Sequence, residues 1–117
     1  MRSLTSSVLR WPDRRSVEES LHGWLAREEG RHPELVRLGY FGSYARGDWG
    51  VGSDLDLIAL VREADEPFER RALSWDLNPL PVPTELLVYT EPEWRRLLDT
   101  NSRFAETVRQ QAVWVYP

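Results

Sequence analysis

A Gly-Ser pair followed, ten residues later, by an Asp-Leu-Asp triplet constrains this chain more than any other feature of its sequence. The pair, Gly42 and Ser43, ends an apolar strand-like run over residues 35–41, and the triplet opens a second such run. Because successive side chains of a strand point to opposite faces, Asp54 and Asp56 are predicted to share one face. Carboxylates so close repel each other and raise each other's pKa unless a cation lies between them. The triplet therefore predicts a site for a hard divalent ion, with Mg²⁺ the expected one.

The glycine–serine pair predicts a contact with phosphate. A turn that opens a helix presents backbone N–H groups, and here also the Ser43 hydroxyl, to an anion. Gly42 is expected to let the backbone approach the phosphate closely, because it has no side chain. Arg46, one helical turn further on, is placed to bind a triphosphate with its planar guanidinium. Phosphate contacts beside metal-binding carboxylates suggest phosphoryl or nucleotidyl transfer.

These residues resemble the signature of a known family, the minimal nucleotidyltransferase (MNT) family of the polymerase-beta-like nucleotidyltransferase superfamily. The similarity is carried by two runs, Gly42-Ser43-Tyr44-Ala45-Arg46-Gly47 and Ser53-Asp54-Leu55-Asp56-Leu57. It extends over most of the chain, from the helix expected near Ser16 to the last strand. The resemblance implies a nucleotidyltransferase fold, ATP or another NTP as substrate, and Mg²⁺, expected as two ions.

The resemblance also implies a third carboxylate, because members that catalyse usually carry one, most often aspartate, on a neighbouring strand. Glu85 is the candidate, since the run over residues 84–88 is the only downstream strand-like segment that offers a carboxylate. In this interpretation Asp54, Asp56 and Glu85 are the metal ligands and catalytic residues of a two-metal site, which clamps the attacking and leaving oxygens. Glutamate is one methylene longer than aspartate, so catalysis and mere binding of nucleotide and metal both stay open.

The family resemblance further implies a protein partner. MNT proteins are commonly paired with HEPN-type partners in toxin–antitoxin modules, as antitoxins that neutralise the partner and in some cases adenylylate it on tyrosine. The chain is accordingly expected to transfer AMP to a HEPN-type protein. One alternative is a catalytically weak module that silences its partner by contact alone. Another is a small-molecule nucleotidyltransferase of the antibiotic-modifying kind, which the missing acceptor domain disfavours.

Length and composition limit the remaining classes. A chain of 117 residues has room for one domain, 1–117, and for no second substrate-holding domain, so a partner protein or a second copy is expected to complete the site. The net charge of −4 argues against direct binding of nucleic acid. The absence of cysteine excludes a disulfide framework and thiolate metal sites. No segment approaches the ~18 apolar residues of a membrane span, so a cytoplasmic protein is expected.

Helical and strand-like patterns alternate along the chain, which predicts an α/β or α+β domain with a short mixed sheet and helices packed mainly on one side. Residues 1–15 are expected to form an extended arm, and a capping box at Ser16 to begin a helix that ends at Gly30. Tyr44 and Trp49 flank the phosphate turn, where they are expected either to stack on a base or partner, or, for Trp49, to fold back over the sheet. The remaining elements are expected as strands over 35–41, 54–61, 84–89 and 112–116, and as helices over 66–76, after a capping box at Thr90, and over 102–111.

Overall fold

A four-stranded mixed sheet forms the centre of the computed structural model, which describes residues 11–117. Its order is β3-β2-β1-β4, with β1 antiparallel to both β2 and β4 and with β2 parallel to β3. The strands are β1 (Leu35–Phe41), β2 (Leu55–Val61), β3 (Thr84–Thr90) and β4 (Val113–Tyr116). The predicted class, an α+β domain with a mixed sheet, is confirmed.

Five α-helices accompany the sheet within residues 11–117. None of those helices is long and apolar enough to cross a membrane. They are α1 (Arg14–Arg31), α2 (Ser43–Arg46), α3 (Phe68–Arg71), α4 (Glu91–Asp99) and α5 (Arg103–Gln111), and a 3₁₀ turn over Ala72–Ser74 follows α3.

The first helix begins and ends at other residues than the sequence predicts. Its N-cap is Asp13, whose side chain accepts a hydrogen bond from the backbone N–H of Ser16 at 2.8 Å. The predicted capping box at Ser16 is therefore wrong, because an aspartate three residues earlier caps the helix equally well. The helix also passes through Gly30 and ends at Arg31, because the ring of Pro33 disfavours a helical conformation at His32, which is the C-cap. The helix thus includes the end of the predicted arm, of which residues 1–10 lie outside the described part.

The helices are divided between the two faces of the sheet rather than packed mainly on one side. On one face, Leu21 and Trp24 of α1 belong to the same buried cluster as Leu57 of β2. On the other face, Ile58 of β2 packs in a second cluster with Trp94 of α4 and with Val108 of α5. This division follows from β2 itself, because every residue of the strand after Asp56 is apolar and both faces must therefore be covered.

An arginine clamp fixes the segment between β2 and β3. Arg71 of α3 donates two hydrogen bonds to the Glu93 carboxylate of α4, at 2.6 and 3.0 Å, and a third to the carbonyl of Val88 at 3.1 Å. The hydrogen bonds from Arg71 lower the pKa of Glu93 from its ordinary 4.5 to about 2. Arg71 is therefore a structural residue, although the sequence offers no pattern that separates it from its exposed neighbour Arg70.

Candidate functional site

The register of the sheet brings the predicted carboxylates to one end of it. Asp56 pairs with Glu85 in the parallel ladder of β2 and β3, and with Phe41 in the antiparallel ladder of β1 and β2. Residues paired across neighbouring strands carry their side chains on the same face. Asp56 and Glu85 thus share the face that α4 and α5 cover further along the sheet. Asp54 immediately precedes β2 and is exposed, as is Glu85, whereas Asp56 is partly buried.

Negative charge at this end of the sheet is only partly compensated. Burial raises the pKa of Asp56, and the charges of Glu85 and then Asp54 raise it further, whereas the positive charge of Arg46 lowers it. All of these groups therefore lie within electrostatic reach of Asp56. A hard cation with oxygen ligands relieves such repulsion, so the chemistry of the Asp54–Asp56 pair fits a divalent ion such as Mg²⁺.

The predicted metal ligands stay predictions. Within residues 11–117, no group of three or more histidine, cysteine, aspartate or glutamate side chains is arranged to hold a metal ion. The carboxylate pair supplies two of the oxygen ligands that Mg²⁺ requires, and such ions commonly take the others from water and substrate phosphates.

Gly42 connects β1 to α2 in a conformation that requires glycine, with φ of 78° and ψ of −152°. A Cβ atom added to Gly42 would overlap Oδ2 of Asp56. The sequence predicts that this glycine allows a close approach to phosphate, but the group nearest to the added Cβ atom is a carboxylate of the protein itself. Gly42 thereby ties the position of the turn to the position of Asp56.

Ser43 and Arg46 are the first and last residues of α2, which is a single turn long. Arg46 donates from Nε to Oδ2 of Asp48 at 2.9 Å, and this hydrogen bond is the largest cause that raises the pKa of Arg46. Among the described residues, its two terminal nitrogens donate no hydrogen bond to another side chain or carbonyl. The Arg46 side chain is also 44% exposed, so its guanidinium is accessible to an anion that binds in a forked manner.

Tyr44 and Trp49 have structural roles in the described residues. Tyr44 is completely buried, and its hydroxyl donates to the carbonyl of Pro12 and accepts from Nε1 of Trp11, both at 3.0 Å. Trp49 stacks on Tyr44, with ring centroids 5.9 Å apart and an angle of 7° between the planes. Of the two expected arrangements, Trp49 thus folds back over the domain, and burial removes Tyr44 from any base-stacking role.

Asp48 is a further residue of the candidate site, and the sequence does not predict it. It orients Arg46, yet the only signal for it is an arginine and an aspartate two residues apart in a glycine-rich loop. Such charge pairs are common on protein surfaces and contribute little by themselves. The signal becomes informative only once the loop is known to border the carboxylates.

Comparisons with known proteins agree with this architecture. Residues 25–110 match the family model described as the nucleotidyltransferase domain, and this stretch contains the turn, the three carboxylates and the arginine. No curated protein matches the chain. A crystal structure of a candidate nucleotidyltransferase from Sulfolobus solfataricus is similar, with a TM-score of 0.62 and 18% identity over 86% of this chain and 80% of that one. A toxin–antitoxin crystallised with AMP-PNP has a TM-score of 0.50 and 19% identity over 83% of this chain and 70% of that one.

Proposed function

The chain belongs to the nucleotidyltransferase domain family, and we propose that it transfers AMP from ATP to a hydroxyl group of a partner protein. In this proposal it is the cytoplasmic antitoxin of a HEPN/MNT toxin–antitoxin pair. The observation that carries the proposal is the strand register that brings Asp56 beside Glu85, next to the Gly42 turn. Further support comes from the similar fold of a toxin–antitoxin that was crystallised with AMP-PNP.

Each residue of the site has a role in this proposal. Ser43 and the N–H groups after Gly42 bind phosphate oxygens, and the accessible terminal nitrogens of Arg46 hold the part of the triphosphate that leaves. Asp54 and Asp56 hold Mg²⁺, which, when bound, neutralises phosphate charge and stabilises the leaving pyrophosphate. The raised pKa of Asp56 reflects a repulsion that such binding removes.

Glu85 takes the proton from the acceptor in this proposal. As the acceptor oxygen forms its bond to the α-phosphorus of ATP, the bond from that phosphorus to the bridging oxygen of pyrophosphate breaks. The hydroxyl proton passes to the Glu85 carboxylate, which acts as the general base. Glu85 is exposed in the structure, so it is accessible to an acceptor that arrives from solvent.

Incubation with labelled ATP and a HEPN-type partner tests the proposal. Label on the α-phosphate of ATP is expected to appear on the partner, whereas label on the γ-phosphate is expected to leave with pyrophosphate. Transfer of the γ-label instead would identify a kinase. Absence of any transfer, together with a tight complex of the two proteins, would favour the module that silences its partner by contact.

A further inference from the structure

Helix α5 carries a polar residue at a position where the rest of its inner face is apolar. Phe104, Val108 and Gln111 follow the spacing i, i+4, i+7, which places them on one side of a helix. Val108 is buried, and Phe104 is partly buried in the same cluster against the sheet. Gln111 is likewise partly buried, so an apolar side chain would be the expected choice there.

The side-chain oxygen of Gln111 is buried without a hydrogen-bond partner in the described part of the chain. Within residues 11–117 it is the only buried side-chain nitrogen or oxygen atom in that state. Such an atom opposes folding, because it loses its hydration without gaining a hydrogen bond. Gln110, its neighbour, is exposed and donates to Glu106 at 3.3 Å, so it supplies a polar side chain at the surface of the same turn.

Strand register locates Gln111 at the end of the sheet that carries the candidate site. Tyr40 of β1 pairs with Val113 of β4 in an antiparallel ladder, so the chain just before Val113 runs beside the chain just after Tyr40. Gly42 and Gln111 therefore both lie just beyond the paired residues, at the same end of β1 and β4. Phe41, the residue before Gly42, connects this helix to the candidate site. It pairs with Asp56 of β2 in the sheet, and its ring contacts that of Phe104 of α5, with ring centroids 5.6 Å apart.

We propose that Gln111 binds the nucleoside part of the substrate. In the nucleotide complex the side chain turns so that its amide oxygen, which is buried in the described structure, accepts a hydrogen bond from a ribose hydroxyl or a base amino group of the nucleoside triphosphate held at Gly42 and Ser43. The unpaired oxygen is then a hydrogen-bond acceptor whose donor is supplied by the nucleotide. This inference rests on the proposed function, since it takes a nucleoside triphosphate as the ligand of that site.

The amide is tested by comparing nucleotide affinity with stability. Gln111→Met keeps the length of the side chain and Gln111→Leu shortens it, while Gln110→Met is the matched control on the same helix turn. Without ligand, Gln111→Met is expected to unfold at the same or a higher temperature than the wild type, because an unpaired buried atom is removed. Its affinity for AMP-PNP with Mg²⁺, measured by calorimetry, is expected to fall about 3- to 10-fold. Gln110→Met is expected to change neither quantity.

Three nucleotide analogues identify the group that pairs with the amide. If a ribose hydroxyl is the donor, the wild type binds 2′-deoxy-ATP about 3- to 10-fold more weakly than ATP, and Gln111→Met does not discriminate between them. If the base amino group is the donor, the same pattern appears with purine riboside triphosphate, which lacks that group. A 3′-deoxy analogue extends the test to the other hydroxyl.

Three results would overturn the inference. Wild-type affinity in both Gln111 variants would show that the amide does not contact the nucleotide. A lower unfolding temperature in both variants, with affinity unchanged once the folded fraction is accounted for, would show that the amide serves the fold. A wild-type chain that binds no nucleotide would overturn this inference together with the proposed function, whereas a wild type that binds nucleotide and ignores Gln111 rejects this inference alone.

Discussion

The two ends of β3 differ in how their carboxylates are neutralised. After the strand, Glu93 of α4 is paired with an arginine, whereas near its start Glu85 lies beside another carboxylate, Asp56. Arg71 donates two hydrogen bonds to Glu93 and holds the pKa of that carboxyl near 2, well below its ordinary value. Asp56, beside Glu85 at the opposite end, has its pKa raised by burial and by neighbouring negative charge. The paired carboxylate stabilises the fold in its ionised form, whereas the facing carboxylates weaken it. Uncompensated repulsion between carboxylates is typical of a site at which a bound ligand neutralises the charge.

The largest expected effect concerns the facing carboxylates. Glu85→Gln keeps the shape of the side chain but removes its basicity, so transfer to a HEPN-type partner is expected to fall by about 10²-fold or more, with nucleotide binding retained. Glu85→Asp, which introduces the residue that the resembled family usually carries, is expected to transfer at least as fast as the wild type. Single-turnover transfer rates measure both. Equal rates for Glu85→Gln and wild type would show that this end of β3 has no catalytic carboxylate.

Gly42→Ala tests whether the turn and Asp56 are coupled. The added methyl group overlaps the Asp56 carboxylate and must adopt a backbone conformation that disfavours side chains, so a loss of about 2–3 kcal/mol of unfolding free energy is expected. In an Asp56→Gly background the overlap disappears and only the backbone cost of about 1 kcal/mol remains. Urea unfolding of the four variants gives the coupling. Equal losses of unfolding free energy on Gly42→Ala in the two backgrounds would show that the side chain of Asp56 does not contact an added group at residue 42.

At the paired end, Glu93→Gln is expected to lower the free energy of unfolding by about 1–2 kcal/mol at pH 7, less than the full pKa shift implies because the carboxylate is partly exposed. The folded-state pKa lies below the ordinary value of 4.5, so the contribution of Glu93 is complete above that pH. It declines as the pH falls towards about 2, and the difference between wild type and variant is expected to shrink over the same window. Urea unfolding between pH 7 and pH 3 measures this. A difference in unfolding free energy that does not change with pH would show that ionisation of Glu93 beside Arg71 does not stabilise the fold.

The smallest expected effect has the opposite sign. Asp56→Asn removes a repelled charge, so the free energy of unfolding at pH 7 is expected to rise by about 0.5–1 kcal/mol, while Mg²⁺-dependent nucleotide binding is lost. Because the pKa of Asp56 is raised in the folded protein, this gain is expected to fade as the pH is lowered and the wild-type carboxyl takes up its proton. Asp99→Asn, an exposed site on α4, is the control for a general charge effect. A loss of stability in Asp56→Asn alone would contradict the repulsion.

Local patterns in the sequence were sufficient to predict much of this molecule. The bounds of β1 and the capping box at Thr90 are confirmed, because each depends on residues adjacent in the chain. Membership of the nucleotidyltransferase domain family is confirmed as well, since the motif is a fixed spacing around Gly42 and Asp56. The roles of the individual site residues stay predictions.

Features that depend on distant contacts escaped prediction. The clamp between Arg71 and Glu93 joins residues far apart in sequence, and nothing near Arg71 distinguishes it from an exposed arginine. Tyr44 lies inside the motif but points into the core, where its hydroxyl meets Pro12. The start of α1 escaped prediction for a different reason, because Asp13 and Ser16 are both good N-cap residues and Asp13 is the one that caps the helix.

The pairing of β4 with β1 has a consequence for how the chain is made. Residues 38–40 of β1 form their hydrogen bonds with residues 113–116 of β4. This edge of β1 is therefore paired only after the intervening chain has been synthesised. Until then the strand that leads into Gly42 has an open edge, and an incomplete chain is exposed to wrong pairing or degradation. Changes that delay the docking of β4 should therefore reduce the amount of folded protein a cell accumulates, while each folded molecule keeps its full affinity for nucleotide.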